Sequence, residues 1–285
     1  MTDLVTAATV GLDVLVAELT DERAALLAVL DEAGGDMRAR RTPAVGWDIG
    51  MQLAHLAHGD ELAALALTNT DAFTVRIQGL MSGDLEANVN AEMGSLRELD
   101  EARLVAAWET AAADLEEALA GRDATDRVSW VAGPMSLASF VRARVMETFA
   151  HGQDVRDGLD VPAPATPRVR HVAYLGVRTR DFSYTIRGRE APDRPVRVEL
   201  AAPDDDVWTW GPDDAIERIE GPAVDFALVV TRRRHPADTA LRIAGDAATE
   251  WMQLAQCYAG PPSEHRPAGS FPTGWRETIA AGAAA

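Results

Sequence analysis

Glu147 and His151 stand four residues apart on one predicted helix, and His55 lies on an earlier one. At 3.6 residues per turn, positions i and i+4 share a helix face. A carboxylate oxygen and an imidazole nitrogen can then reach one ion from adjacent turns, as helix-borne ligand pairs do in bundles. Met51 and Leu62, beside His55, are apolar, so His55 is expected to point inward. Two ligands from one helix and one from another make a His-Glu-His set with open positions. That is the arrangement of a catalytic metal site, where water or substrate completes the shell. Two neutral imidazoles and one carboxylate suit Zn²⁺ and leave Fe²⁺, Ni²⁺ and Mn²⁺ open. The plain alternative is a solvated helix face. Arg144, Glu147, His151 and Asp154 form a polar stripe, and a Glu–His pair at i,i+4 can simply stabilise a helix.

Other residues sit around this set. His58, one turn after His55, is a candidate catalytic base or fourth ligand, with a surface or supporting role favoured. Asp154 can orient a ligand imidazole by accepting its free N–H, or pair with Arg144 or Arg156. Arg76, in the long connection before the third helix, can grip a substrate carboxylate with two N–H groups or be an ordinary surface arginine. Arg232, Arg233 and Arg234 form the densest basic cluster. They read equally as an anion-binding group reaching across an interdomain cleft and as a solvated helix end. Trp208 and Trp210 share one face of a predicted strand and read as packing. His171, His235 and His265 have no partner motif.

Two kinds of element must carry these residues. Up to about residue 160 the apolar spacing predicts four long helices: 9–30, 48–67, 100–119 and 136–158. Asp48 is the expected N-cap of the second. Four long helices suggest an antiparallel bundle. The connection from 70 to 94 is long enough for short helices or a substrate loop. Pro162, Pro164 and Pro167 mark a boundary, giving domains 1–161 and 166–285. Beyond it, strands are expected at 196–200, 207–210, 216–219 and 241–243, with helices over 168–182, 223–230 and 245–258. That is an α+β domain with a mostly antiparallel sheet. The last twenty-odd residues are expected to be mobile at the end.

Composition removes several functions. With 47% hydrophobic residues the chain can fill two cores. No run of 18 apolar residues suggests a membrane span, and the first residues do not read as a secretory signal, which argues for the cytoplasm. The net charge of −18 argues against nucleic acid as a partner. All 27 basic residues are arginine, so Schiff-base and lysine-base chemistry are absent. Cys257 is the only cysteine; it is expected to be a small buried residue in the last helix, and any metal site must use His and carboxylate ligands. No Gly-rich phosphate loop, nucleophile elbow or EF-hand loop is present.

Two motifs carry a family resemblance. Thr42-Pro43-Ala44-Val45-Gly46-Trp47-Asp48, running into Leu53-Ala54-His55-Leu56, resembles the start of the DinB-like, mycothiol-dependent maleylpyruvate isomerase family. There a Pro-Gly-Trp element precedes a helix bearing a His-Leu pair. Glu147-Thr148-Phe149-Ala150-His151-Gly152-Gln153-Asp154 resembles the second motif of that family. The resemblance implies a DinB-like four-helix bundle with His55, Glu147 and His151 as ligands of Zn²⁺ or another divalent metal. It also implies mycothiol as thiol cosubstrate, its sulfur bound as a thiolate. More loosely, 221–228, 232–234 and 243–246 resemble the C-terminal, sterol-carrier-protein-like α+β domain. In that domain a Gly-Arg pair follows the helix and the Arg helps bind an acidic substrate. Here Arg232 takes the place of the Gly, and Arg233 that of the Arg. Ala44 and Val45 also replace the more usual Cys-Pro.

The expected function is therefore a metal- and thiol-dependent isomerase or S-transferase. A thiolate would add to an electrophilic carbon of an unsaturated or activated substrate. For cis–trans isomerisation, addition makes a single bond, rotation follows, and elimination returns the thiol. Two alternatives stand: a metal-dependent hydrolase or lyase using bound water, and a non-catalytic small-ligand-binding protein. The expected partners are a small-molecule substrate and a thiol, with no nucleic acid and no membrane, for a monomer or homodimer.

Overall fold

In the computed structural model, which describes residues 10–131, 133–271, 274 and 276, the chain divides into two units, Gly11–Val161 and the chain from Pro162 onward. The expectations for the first residues and for the extreme C-terminus lie outside the described residues. Among the described residues no helix is long and apolar enough to cross a membrane.

The first unit is built on four long helices. α1 (Leu12–Ala33) buries Leu12, Leu15, Leu19, Leu26 and Leu30, a stripe of helical period. α2 (Ile49–Thr68) starts where Asp48 accepts a hydrogen bond from the Met51 N–H at 2.8 Å, the expected N-cap. Its burial runs round nearly the whole helix, so α2 is the central element. The connection 70–94 is helical: α3 (Thr70–Leu80) and α4 (Leu85–Glu92), capped by Asn69 and Asp84, lead into α5 (Gly94–Glu98). α6 (Glu101–Leu119) follows, then a two-residue hairpin, β1 (Arg127–Val128) with β2 (Met135–Ser136). α7 (Leu137–Leu159) is capped by Ser136. α2 packs on α6 and α7, and α1 packs on α7. Leu26, Leu53, Leu56, Met93, Leu104, Trp108 and Val155 fill the space between them.

A buried ionic group ties the same helices together. The Asp60 carboxylate of α2 is fully buried. It accepts from Arg144 Nε of α7 at 2.9 Å and from Trp108 Nε1 of α6 at 3.0 Å, and pairs with Arg23 Nη2 of α1 at 3.0 Å. Gly59 makes room: a Cβ there would lie 2.9 Å from the Arg144 guanidinium.

The second unit opens with α8 (Val169–Arg178) and α9 (Arg180–Thr185), where one helix was expected. The break is at Thr179, whose φ −99, ψ 15 leaves the helical region and whose hydroxyl bonds back to the Leu175 carbonyl. A four-stranded sheet follows in the order β4-β3-β5-β6. Its strands are β3 (Val196–Ala201), β4 (Val207–Trp210), β5 (Glu217–Pro222) and β6 (Arg242–Ala244). β3 pairs antiparallel with β4 and parallel with β5, and β5 pairs antiparallel with β6. Trp208 and Trp210 are both buried, as packing residues are. α10 (Ala223–Val230) and α11 (Asp246–Leu254) complete the unit. α11 ends before Cys257, so that residue is buried but not helical as expected; its backbone N–H donates to Val230 O at 3.0 Å.

His265 gives this unit a pH dependence. Burial first, then the nearby Arg232 charge, pushes its imidazole down to about 4 from the usual 6.5. Between those values the unfolded chain binds a proton that the folded chain refuses, so stability falls as pH drops. From pH 7 to 4.5 the loss should be on the order of 2–3 kcal/mol. His265→Gln should flatten that slope in urea titrations followed at several pH values. An equal slope in both proteins would show that His265 is not its source.

Candidate metal centre

His55 sits in the middle of α2, and Glu147 and His151 sit on successive turns of α7. Because α2 packs on α7, the three side chains meet. One nitrogen or oxygen from each lies within 4.8 Å of the others. His151 Nε2 is 3.4 Å and His55 Nε2 3.9 Å from the same carboxylate oxygen, Glu147 Oε2. Ligand atoms bound tetrahedrally at zinc distances lie about 3.4 Å from one another. The set therefore fits an ion with shifts of a few tenths of an ångström to about an ångström, well within side-chain motion.

The donor chemistry fits as well. Burial alone would raise the Glu147 carboxyl, but the imidazoles of His151 and His55 and the charge of Arg144 outweigh it and hold the group well below the usual carboxylate range. Among the described residues His55 Nδ1 is buried with no hydrogen-bond partner. The side chains of His55, Glu147 and His151 keep 28, 24 and 15% of their exposure, enough for a further ligand to reach them. Trp47 forms one wall. Its ring stacks on His151, with centroids 5.9 Å apart, and meets His55 edge-on at 5.4 Å. Around the set the stripe is not a solvated face: Arg144 and Asp154 are 4% and 1% exposed.

The other candidates fall elsewhere. His58 is buried, not at the surface, and its Nε2 meets Glu92 Oε2 of α4 at 2.8 Å. Burial lowers its pKa although Glu92 opposes this. Arg76 is on α3, not in an open loop, and is held by Glu92 at 2.8 Å and Glu61 at 2.7 Å. It lines a groove that also presents Glu61, Asp114, Glu117 and Arg122. His58, Glu92 and Arg76 together pin α3 and α4 onto α2. In the second unit, Arg233 Nη1 donates to Thr231 O at 2.7 Å. Arg232 is buried, not part of a solvated helix end. Its φ of 63 is in the left-handed region that favours glycine, which accounts for a glycine at this place in the family pattern.

Sequence reading missed the group that orients His151. His151 Nδ1 meets Gln52 Oε1 at 2.6 Å, and Gln52 is fully buried on α2. The available signal was a lone amide in an apolar helix, Met51-Gln52-Leu53, three residues before His55.

Two histidines and a glutamate are gathered between long helices, and a small α+β unit follows along the chain. The model of the mycothiol maleylpyruvate isomerase N-terminal domain matches residues 16–156, and the chain belongs to that family. An uncharacterized protein of Mycobacterium tuberculosis, found in two strains, is 38% identical over 251 residues, 88% of this chain and 97% of the relative. Two crystal structures of a mycothiol-dependent maleylpyruvate isomerase share the fold with a TM-score of 0.51, covering 82% of this chain and 92% of theirs. One is the enzyme itself, 18% identical, and the other a histidine-to-alanine mutant, 16% identical.

Proposed function

We propose that this protein is a metal-dependent enzyme that uses a low-molecular-weight thiol, mycothiol, for isomerisation or S-transfer on a small electrophilic substrate. The observation that carries this reading is the meeting of His55, Glu147 and His151 within 4.8 Å, on the two helices that bear the family motifs. These residues would hold Zn²⁺ or a similar divalent ion. When bound, such an ion supplies the positive charge that keeps a coordinating thiol deprotonated at neutral pH. Glu147, held ionised, contributes the only negative charge of the set. The Trp47 ring shields one side of His151 and narrows the approach. Cys257 is buried, so the thiol in this reading comes from a cosubstrate. Carboxylate-bearing unsaturated acids are the first substrate class to test. Arg76 is the weaker candidate for their carboxylate, because two glutamates already hold it.

The test is turnover of maleylpyruvate and related cis-unsaturated acids by metal-loaded protein, with and without mycothiol. Turnover that needs both metal and thiol is expected. Turnover without any thiol would move the reading to a metal-dependent hydrolase or lyase. Ligand binding that survives the loss of His55 and His151, with no turnover, would favour a binding protein.

A further inference from the structure

We propose that Gln52 is a positioning residue for His151, the middle of a one-way hydrogen-bond chain that fixes which imidazole nitrogen faces the site. The inference rests on the metal reading above. It starts from an end that cannot be reversed. The Trp47 backbone carbonyl can only accept, and Thr42 Oγ1 lies 3.0 Å from it, so the hydroxyl proton points there. The lone pairs of Thr42 Oγ1 then accept from Gln52 Nε2 at 3.0 Å. That sets the amide orientation and turns Oε1 toward His151 Nδ1 at 2.6 Å. An amide oxygen only accepts, so Nδ1 carries the proton. Nε2 is the nitrogen that faces the site, 3.4 Å from Glu147 Oε2, where a cation would take the place of its proton. Each bond's direction follows from the one before it, and a ring with Nδ1–H held and Nε2 presented to the site is the result.

Burial gives the chain its force. Thr42 and Gln52 are both fully buried, so water cannot replace a lost partner. The turn that anchors them also touches the ligand directly, since Trp47 stacks on His151. Gly158 lets this segment lie against α7: a Cβ there would come 2.8 Å from the Arg41 carbonyl. Among the described residues His55 Nδ1 has no such partner. His151 is thus the preset ligand, and His55 is the one free to adjust.

The experiment uses the full chain and four proteins: wild type, Gln52→Leu, Gln52→Glu and Thr42→Val. Zn²⁺ affinity is measured by competition with a chromophoric chelator, and the His151 tautomer by ¹⁵N NMR of the metal-free chain. Gln52→Leu should weaken Zn²⁺ about 10- to 100-fold and release the tautomer to a mixture. Gln52→Glu should stay within about threefold of wild type, since its carboxylate still accepts the Nδ1 proton. Thr42→Val should fall between, because the amide can then turn over. Gln52→Leu binding Zn²⁺ as tightly as wild type would overturn the proposal. So would Gln52→Glu being as weak as Gln52→Leu, or Nδ1 lacking a proton in the metal-free wild type. If Gln52→Leu does not fold, Thr42→Val and the wild-type tautomer still decide. Failure of wild type to take up any divalent metal would sink the metal reading, whereas the tautomer measurement judges the hydrogen-bond chain independently.

Discussion

Asp60→Ala is expected to destabilise the helical unit by about 3–5 kcal/mol, because it leaves buried arginine charge without its counter-ion. Arg23 and Arg144 are each 4% exposed, and Asp60 is the only carboxylate that both of them contact among the described ion pairs. Arg23 keeps a second partner in Glu116 at 3.0 Å, so Arg144 bears most of the loss. Trp108 also loses the acceptor for its indole N–H. Such a cost is a large share of the 5–15 kcal/mol by which domains of this kind are stable. It measures an orphaned charge, not the net worth of the pair. Replacing Asp60, Arg23 and Arg144 together by apolar residues of similar volume should therefore cost much less than Asp60→Ala alone. Hydrogen exchange of α2 and α7 reads the effect locally, which matters in a chain of two units. Protection should fall by roughly 10²- to 10⁴-fold, following the energy. A change below about tenfold would mean that water reaches the group and screens it. The effect should extend to the candidate metal centre, since Asp60 and Arg144 fix α2 against α7, the helices that bring His55 to Glu147.

Why the sequence revealed some of this and not the rest is a matter of range. The four long helices and most of the later strands were legible, because apolar period and capping residues act within a few positions. Asp48 at the head of α2 and the alternation of Val207–Trp210 are examples. The Glu147–His151 pair was legible for the same reason, with i and i+4 on one face. His55 was legible as an inward histidine, but its meeting with α7 depends on how α2 and α7 pack. The same polar stripe could have been a wet surface. It is buried because α1 and α2 cover it, and no local pattern encodes that. The partners of Arg76 and His58, Glu92 and Glu61, come from other turns and another helix, so no local spacing could name them. Gln52 went unnoticed because an amide carries no charge and forms no spacing motif; only the three-dimensional route from Trp47 to His151 gives it a task. The break at Thr179 and the short hairpin at 127–136 turn on single residues, which window-based periodicity averages away.

Removing any one of His55, Glu147 and His151 should abolish tight metal binding, and the three losses should differ in kind. The purified protein is expected to hold about one divalent ion per chain after incubation with Zn²⁺, as elemental analysis would read. Zn²⁺ at about a hundredfold over its dissociation constant should stabilise wild type by about 2.7 kcal/mol, since only the folded site binds it. Glu147→Gln removes the only negative charge of the set and keeps its size, so its loss of affinity is electrostatic and should be the largest. His151→Ala removes the ligand already oriented by Gln52, and also leaves the buried Gln52 oxygen without a partner. It should therefore lower the stability of the metal-free chain by about 1–3 kcal/mol as well as the affinity. His55→Ala should weaken binding yet leave the metal-free chain close to wild-type stability, because among the described residues its Nδ1 has no hydrogen-bond partner to lose. Calorimetric titration with Zn²⁺, beside urea unfolding of each metal-free variant, separates the three. Equal metal content in all four proteins would show that the ion sits elsewhere. Equal loss of metal-free stability in all three variants would show that the cluster is a structural knot, and that its residues meet for packing rather than for an ion.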